Sequence, residues 1–346
     1  MSDKLLVTGS YLKDYPRNKT LIKCLSNNFQ IKAEPAEDSF INLKILKILF
    51  KTTFDKVLFL WPVQKCWPSI IFAKILRKQI LLDFFWSDYE GYILDRQLAS
   101  KKSFKAMWYR FIDKMLLLLS NKVIFDTTGR ADFFREIFTI ATTQKFLIWP
   151  VIPDLAIIDN IEKQTNTEYG IVKILFYGHY IPLQGIETII EAAKLLSDDT
   201  RFKFQLIGNG QTKKRILNIV QQYSLSNIAF IDTMPYDELI KHIKSADICL
   251  GIFGKTPKAQ HVVPNKILDY LACSKPVITS YNTDLALYFK HKEDIYYCTM
   301  ADPVSLKNAI LHLTQDLDLR NKIGRNGRAT LELTHNCEVL SNNFNF

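Results

Sequence analysis

The run Val263-Pro264-Asn265-Lys266-Ile267-Leu268-Asp269 combines groups suited to holding a nucleotide. Proline is tolerated in the first turn of a helix because its missing N–H would be unpaired there, so Pro264 can start one. The free N–H groups that follow, at Asn265 and Lys266, then converge at the positive end of the helix dipole, where a diphosphate fits. Asp269 stands four residues after Asn265 on the same face, and its carboxylate can accept hydrogen bonds from ribose hydroxyls. A capped core helix with an incidental acid would carry the same letters. Just upstream, Gly251-Ile252-Phe253-Gly254 closes a buried run, and Lys255, Lys258 and His261 fill the approach to the helix.

Three further loops carry candidate chemistry. Gly9 and Ser10 follow the first apolar run, and Tyr15-Pro16-Arg17-Asn18 places Arg17 in a first helical turn, where its guanidinium can grip phosphate or simply face solvent. Ile207-Gly208-Asn209-Gly210 ends another run. Gly208 lets a ligand approach the backbone there, yet the loop is not a full dinucleotide fingerprint, and Lys213, Lys214 and Arg215 read equally as a solvated helix face. In Asp83-Phe84-Phe85-Trp86-Ser87-Asp88-Tyr89, Asp83 is a candidate base toward an acceptor, while Ser87, Asp88 and Tyr89 are candidates to hold sugar hydroxyls. Capping by Asp83 and core packing of the aromatics is the alternative.

These loops need strands and helices to position them. Short β-branched and aromatic runs alternate with helix-length segments, the pattern of a parallel sheet covered on both faces. Strands are expected at 4–8, 56–61, 79–84, 122–126 and 145–150, with helices near 17–27, 41–51, 68–76, 104–119 and 131–138. After a polar stretch at 159–170 the alternation restarts. Strands are expected at 172–177, 202–207, 228–231, 247–252, 276–279 and 295–298, with helices near 186–196, 212–222, 237–245, 264–272, 303–316 and 319–333. The fold class is therefore α/β: two doubly wound, Rossmann-like domains facing across a cleft, with ligands at the carboxyl ends of the strands. Domain boundaries are placed at 1–150, a linker at 151–170, a second domain at 171–333, and a tail at 334–346 that returns toward the first domain.

At 346 residues the chain has room for two such cores, and 48% hydrophobic with 23% charged residues excludes extended disorder. Six cysteines stand singly, without the close pairs of metal or redox sites, so neither disulfides nor zinc is expected. The N-terminus lacks a secretion signal, and the longest concentrated apolar run, 115–119, falls far short of the about 20 residues that cross a bilayer. A cytoplasmic location is the expectation.

The whole +10 excess of charge falls in residues 1–150, leaving the second half formally neutral. Such a half can meet nucleic acid, anionic lipid or a phosphorylated substrate. No nucleic-acid recognition motif accompanies it. Lys44, Lys47 and Lys51 form one basic stripe against a broad apolar face, and 101–111 has a similar character. Such helices can lie on anionic lipid or pack on the sheet with a solvated basic edge.

Together these segments resemble the retaining GT-B-fold glycosyltransferases of family 4, which build bacterial surface polysaccharides and glycolipids. The resemblance runs through Leu175-Phe176-Tyr177-Gly178, Gly185-Ile186-Glu187, Leu206-Ile207-Gly208-Asn209-Gly210, Ala246-Asp247-Ile248 and, most strongly, 264–278. Tyr15-Pro16-Arg17-Asn18 and 82–89 look like a subgroup of that family. The resemblance implies a nucleotide diphosphate sugar as co-substrate, bound in the second domain, and metal-independent transfer with retention and no cofactor. The acceptor would be a saccharide or lipid-linked sugar. It puts the diphosphate on the amides of Asn265 and Lys266, the ribose on Asp269 in place of the family's glutamate, and the base against 233–236, with Met234 and Tyr236.

Three positions depart from the family. The first glutamate of its Glu-x7-Glu pair falls on His261, and the Arg and Lys that clamp the diphosphate fall on His179 and Gln184. Arg17, Lys255, Lys258 and Lys266 are expected to supply the missing charge, with Gly9 and Ser10 beside Arg17. Asp83, Arg17 and His261 are the expected catalytic groups. The same departures leave open a catalytically silent binding protein at a membrane or with a partner. A hexosyltransferase at the inner face of the plasma membrane is the expected enzyme.

Overall fold

The alternating pattern folds into two parallel six-stranded sheets in the computed structural model, which describes residues 3–13, 15–36, 42–140, 145–162 and 169–342. Parts of the expected linker (163–168), of the tail (343–346) and of the approach to the second helix (Ile41) lie outside the described residues. The chain divides into two units, Met1–Ile152 with His335–Phe346, and Pro153–Thr334.

The first unit contains β1 (Asp3–Gly9), α1 (Pro16–Leu25), β2 (Phe29–Pro35), α2 (Leu43–Lys51), β3 (Lys56–Phe59), α3 (Trp67–Ile75), β4 (Gln79–Asp83), a π-helical stretch (Tyr89–Asp95), α4 (Phe104–Leu119), β5 (Lys122–Phe125), α5 (Thr128–Phe138) and β6 (Lys145–Ile148). Its strand order is β2-β1-β3-β4-β5-β6. Successive strand residues face opposite sides, so each strand feeds two cores. Leu6, Val57, Phe59 and Leu82 pack beneath α2, α3, α4 and α5. Leu5, Val7 and Leu58 face α1.

Two sequence expectations fail here. β2 was not foreseen: Phe29–Pro35 carries Lys32 and Glu34 and ends on proline, yet it pairs with β1 from Asp3↔Phe29 to Gly9↔Pro35. An edge strand needs only one covered side, and its charges blunt the open edge against further pairing. The cysteines were expected to stay unpaired. Cys24 of α1 instead forms a disulfide with Cys337, because a C-terminal helix folds back onto α1. A separation of 313 residues hides that pairing from any local pattern.

The second unit contains α6 (Leu155–Asp159), β7 (Val172–Tyr177), α7 (Ile186–Lys194), β8 (Phe202–Ile207), α8 (Lys213–Gln222), β9 (Ile228–Ile231), α9 (Tyr236–Ser245), β10 (Ile248–Leu250), α10 (Asn265–Ala272), β11 (Val277–Ser280), α11 (Thr283–Ala286), β12 (Tyr296–Cys298), α12 (Pro303–Gln315) and α13 (Leu317–Thr334). The helix carrying Cys337 is α14 (Cys337–Asn342), in the first unit. The order β12-β11-β10-β7-β8-β9 reverses direction between β7 and β10. Loops diverge at such a reversal and leave a crevice at the carboxyl ends of the strands.

Candidate functional site

The reversal between β7 and β10 brings together most of the second unit's candidates. Pro264 occupies the N-cap of α10 rather than its first turn and offers no side-chain acceptor, so no cap satisfies the N–H groups of Asn265 and Lys266. Asn265 is exposed, whereas Lys266 turns inward and is 5% exposed. Its ammonium donates to Gln184 Oε1 and lies 3.9 Å from the centre of the Phe176 ring. Among the described residues no carboxylate pairs with it, and burial pushes its pKa well below the usual lysine range. An ammonium held only by an amide oxygen and a ring face is poised for an anion. The residue it touches, Gln184, is the position at which the family resemblance expects a lysine.

Asp269, one turn along α10, is buried and accepts hydrogen bonds from two tyrosines. Tyr177 at the end of β7 donates to one carboxylate oxygen and Tyr236 to the other at 2.9 Å. Tyr177 is itself placed by Tyr270, whose hydroxyl accepts from its N–H at 3.1 Å. Sequence reasoning missed Tyr177; the signal was a tyrosine ending a strand beside the crevice. Burial raises the Asp269 pKa to about 6, opposed by the two tyrosine hydrogen bonds. Each carboxylate oxygen retains a second lone pair, so ribose hydroxyls can still be accepted.

Because that pKa is raised, the folded state binds more protons than the unfolded one between the ordinary aspartate range and pH 6. Stability from this group is therefore complete at low pH and lost as pH rises through about 6. Asp269→Asn is expected to remove that loss, an effect of about 2–3 kcal/mol. Comparing melting temperatures of the two proteins from pH 4 to 8 tests it, and parallel curves would refute it.

The remaining loops of this unit are tied together by backbone bonds. Gly208 has φ +135°, and a Cβ there would come within 2.1 Å of the Gly178 carbonyl oxygen. The close approach it permits is thus to the neighbouring loop, not to open space for a ligand. Lys258 is buried and His261 part-buried at the two ends of a short turn that Asn282 fixes, donating to the Ala259 and Val262 carbonyls at 2.8 and 3.0 Å. Nothing local marked Asn282. Lys255 and His179 are exposed, and Met234 is part-buried just before α9.

In the first unit the structure changes several roles. Arg17 and Asp83, expected as a phosphate grip and a base, are 2% and 0% exposed and bind each other, with guanidinium-to-carboxylate distances of 2.7, 3.2 and 3.3 Å. Arg17 also donates to the Trp149 carbonyl at 3.0 Å and stacks on Phe85. The pair thereby ties α1, β4 and the end of β6 together, and the reading of Arg17 as a replacement diphosphate cation is corrected accordingly. Gly9 closes β1, and the N–H of Ser10 turns to the Cys66 sulfur at 3.4 Å.

Ser87, expected to meet sugar hydroxyls, is fully buried. It donates to Asp113 at 2.6 Å and accepts from the Glu90 N–H. Asp113 on α4, passed over in the sequence, also receives the Tyr89 N–H and Gln64 at 3.0 Å each. Burial raises its pKa to about 7 against those hydrogen bonds. Asp88 and Tyr89 remain part-exposed, with Asp88 accepting from the Trp86 indole at 3.1 Å. The π-helical stretch that follows requires Gly91, because a Cβ there would come within 2.1 Å of the Trp86 ring.

These two units have relatives of known structure. The chain superposes on sucrose-phosphate synthase from Thermosynechococcus elongatus with a TM-score of 0.72 and 16% identity, covering 98% of this chain and 96% of the other. HepE of Anabaena, solved in complex with UDP-glucose, gives a TM-score of 0.71 at 13% identity over 98% and 97%. At these identities the likeness defines the fold, which is of the GT-B type. Residues 158–330, half of the chain, match the family described as glycosyl transferases group 1, and the chain belongs to that family. A protein of Methanocaldococcus jannaschii named as an uncharacterized glycosyltransferase is 29% identical over 154 residues, 44% of this chain. That match spans 41% of the relative's length.

Proposed function

We propose that this chain moves a hexosyl group from a nucleotide diphosphate sugar to a saccharide or lipid-linked acceptor, with retention, in the synthesis of cell-surface polysaccharide or glycolipid. The observation that carries the reading is Lys266, a buried lysine with no carboxylate partner among the described residues, beside the uncapped N–H groups of α10. A diphosphate seated there neutralises the ammonium and satisfies the amides. As the bond to the sugar breaks, negative charge builds on that diphosphate, and donors already fixed in place stabilise it without reorganising. The reading invokes no metal, because these groups hold the leaving charge. Asp269 takes the ribose, and the base lies toward Met234 and Tyr236. HepE, named as bound to UDP-glucose, supports a nucleotide sugar as the donor class.

The test is a thermal-shift screen of the full chain against nucleotide sugars, followed by donor hydrolysis and transfer. Saturating donor at 100 times its Kd stabilises a protein by about 2.7 kcal/mol, so a rise of several degrees is expected with one sugar class. No shift with any of them overturns the reading. A shift without hydrolysis or transfer instead favours a silent binding protein, an alternative that His179 and Gln184 motivate. The working location in this reading is the inner face of a plasma membrane.

A further inference from the structure

We infer that the outer surface of the α2–α3–α4 layer is a seat for an anionic phospholipid bilayer, with α4 as its apolar keel. The inference rests on the proposed transfer only in giving the surface a purpose; the surface itself stands on its own geometry. Phe104, Met107, Trp108 and Phe111 recur at i, i+3, i+4 and i+7 and are 80%, 62%, 42% and 58% exposed. The opposite side of α4 is spent on the core through Ala106, Ile112, Leu116 and Leu117. A water-facing helix has no reason to spend its solvent side on two phenylalanines, a methionine and a tryptophan.

Charge says what covers the stripe. On the helical wheel Lys105 flanks it on one side and Arg110 and Lys114 on the other, all exposed, with Lys101 and Lys102 just ahead. The only carboxyl group on α2, α3 or α4 is Asp113, and it is fully buried. On α2, Leu43 and Phe50 are exposed beside Lys44, Lys47 and Lys51. The same lysines line a pocket of about 410 Å³ with Lys32 and Glu34, the latter two paired to each other at 2.5 Å, which leaves the other three lysines no further acid in the lining. Aromatic residues bordered on both sides by cations match the boundary between acyl chains and anionic headgroups. A nucleic acid would use the cations and leave the phenylalanine stripe in water.

The inner side of α4 links this face to the acceptor segment. Asp113 grips Ser87 and the Tyr89 N–H, and the Tyr109 ring lies 5.7 Å from that of Tyr92, itself 5.7 Å from Trp86. The Trp86 indole donates to Asp88. An acceptor carried in the leaflet under α4 therefore arrives beside Asp88 and Tyr89.

Co-sedimentation with phosphatidylglycerol/phosphatidylcholine vesicles tests this, with pure phosphatidylcholine as the comparison. Wild type is expected to prefer the anionic vesicles, and Phe104→Ser with Phe111→Ser to lower partitioning roughly tenfold or more. Lys101→Gln, Lys102→Gln and Lys105→Gln together should reduce the anionic preference by a similar factor. Trp108 emission should shift to the blue on binding, a change that Trp108→Phe removes. Unchanged partitioning of the double phenylalanine variant overturns the inference. So does a dimer that this variant splits while vesicle binding persists, or binding to an oligonucleotide tighter than to anionic vesicles. The donor-dependent thermal shift, read on the same variants, should stay at the wild-type value; its absence in wild type would sink the transfer reading and leave the vesicle result standing.

Discussion

Lys266→Met is expected to lower kcat/KM for the nucleotide sugar roughly 100- to 1,000-fold, the equivalent of about 3–4 kcal/mol. Each charge-assisted hydrogen bond to a diphosphate contributes about 1.5–3 kcal/mol, and Lys266 offers its ammonium where the other expected cations are replaced by Gln184 and His179. Methionine keeps the volume and the contact with Phe176 while removing the charge. The free protein should not suffer. An ammonium buried without a carboxylate partner is a cost in the ligand-free state, so the variant is expected to melt at or above the wild-type temperature.

The pH dependence follows from the lowered pKa. Between the folded-state value and the usual lysine range, the unfolded chain holds more protons, so wild-type stability gains from this group as pH rises. The methionine variant lacks that gain. Donor affinity runs the opposite way, since the diphosphate needs the ammonium charged, and wild-type Kd should increase with pH. Isothermal titration across pH checks the second trend and thermal melts the first. Donor affinity unchanged by Lys266→Met would remove the basis of the proposed donor site.

Arg17→Ala is expected to destabilise the first unit by about 3–5 kcal/mol, because it strands the Asp83 carboxylate at zero exposure. At the usual conversion this lowers the melting temperature by about 10 °C. Arg17→Lys should rescue little, since a single ammonium cannot reproduce the forked contact with Asp83 and the bond to Trp149. Replacing both partners by apolar residues should cost much less than the single change. Donor affinity measured on the folded fraction should stay near wild type. If affinity falls while the melting temperature holds, Arg17 acts on the donor and its structural assignment is wrong.

The contrast between these two cations shows what spacing along a chain can and cannot specify. Both occupy positions near a proline at a helix start, and both were read as phosphate groups from that pattern. Lys266 meets no carboxylate among the described residues, whereas Arg17 meets Asp83, 66 residues away, and is consumed by it. Spacing along the chain places a side chain on a helix face. It does not say which side chain from another strand waits opposite.

Local order was legible because it depends on near neighbours. The short apolar and aromatic runs at 172–177 and 202–207 specified strands of a parallel sheet, and the helix-length segment 104–119 specified α4; its cap, Ser103, is seen only in the structure. The strand-to-helix loops could then be located, and with them the α10 tip. β2 stayed hidden because an edge strand tolerates charges on its uncovered side. The disulfide, the pairing of Asp113 with Ser87, and the capture of Asp269 by Tyr177 and Tyr236 link residues far apart in the chain.

By itself, then, the sequence determined the two α/β halves, the concentration of positive charge in the first, and the helix tip at Asn265–Lys266. The tertiary structure decided which charges remain available: it buried Arg17 and Ser87 in the scaffold, left Lys266 without a counter-charge among the described residues, and exposed the Phe104–Phe111 stripe among cations. The physical reason is that burial and pairing depend on contacts between distant segments, which periodicity along one segment cannot encode.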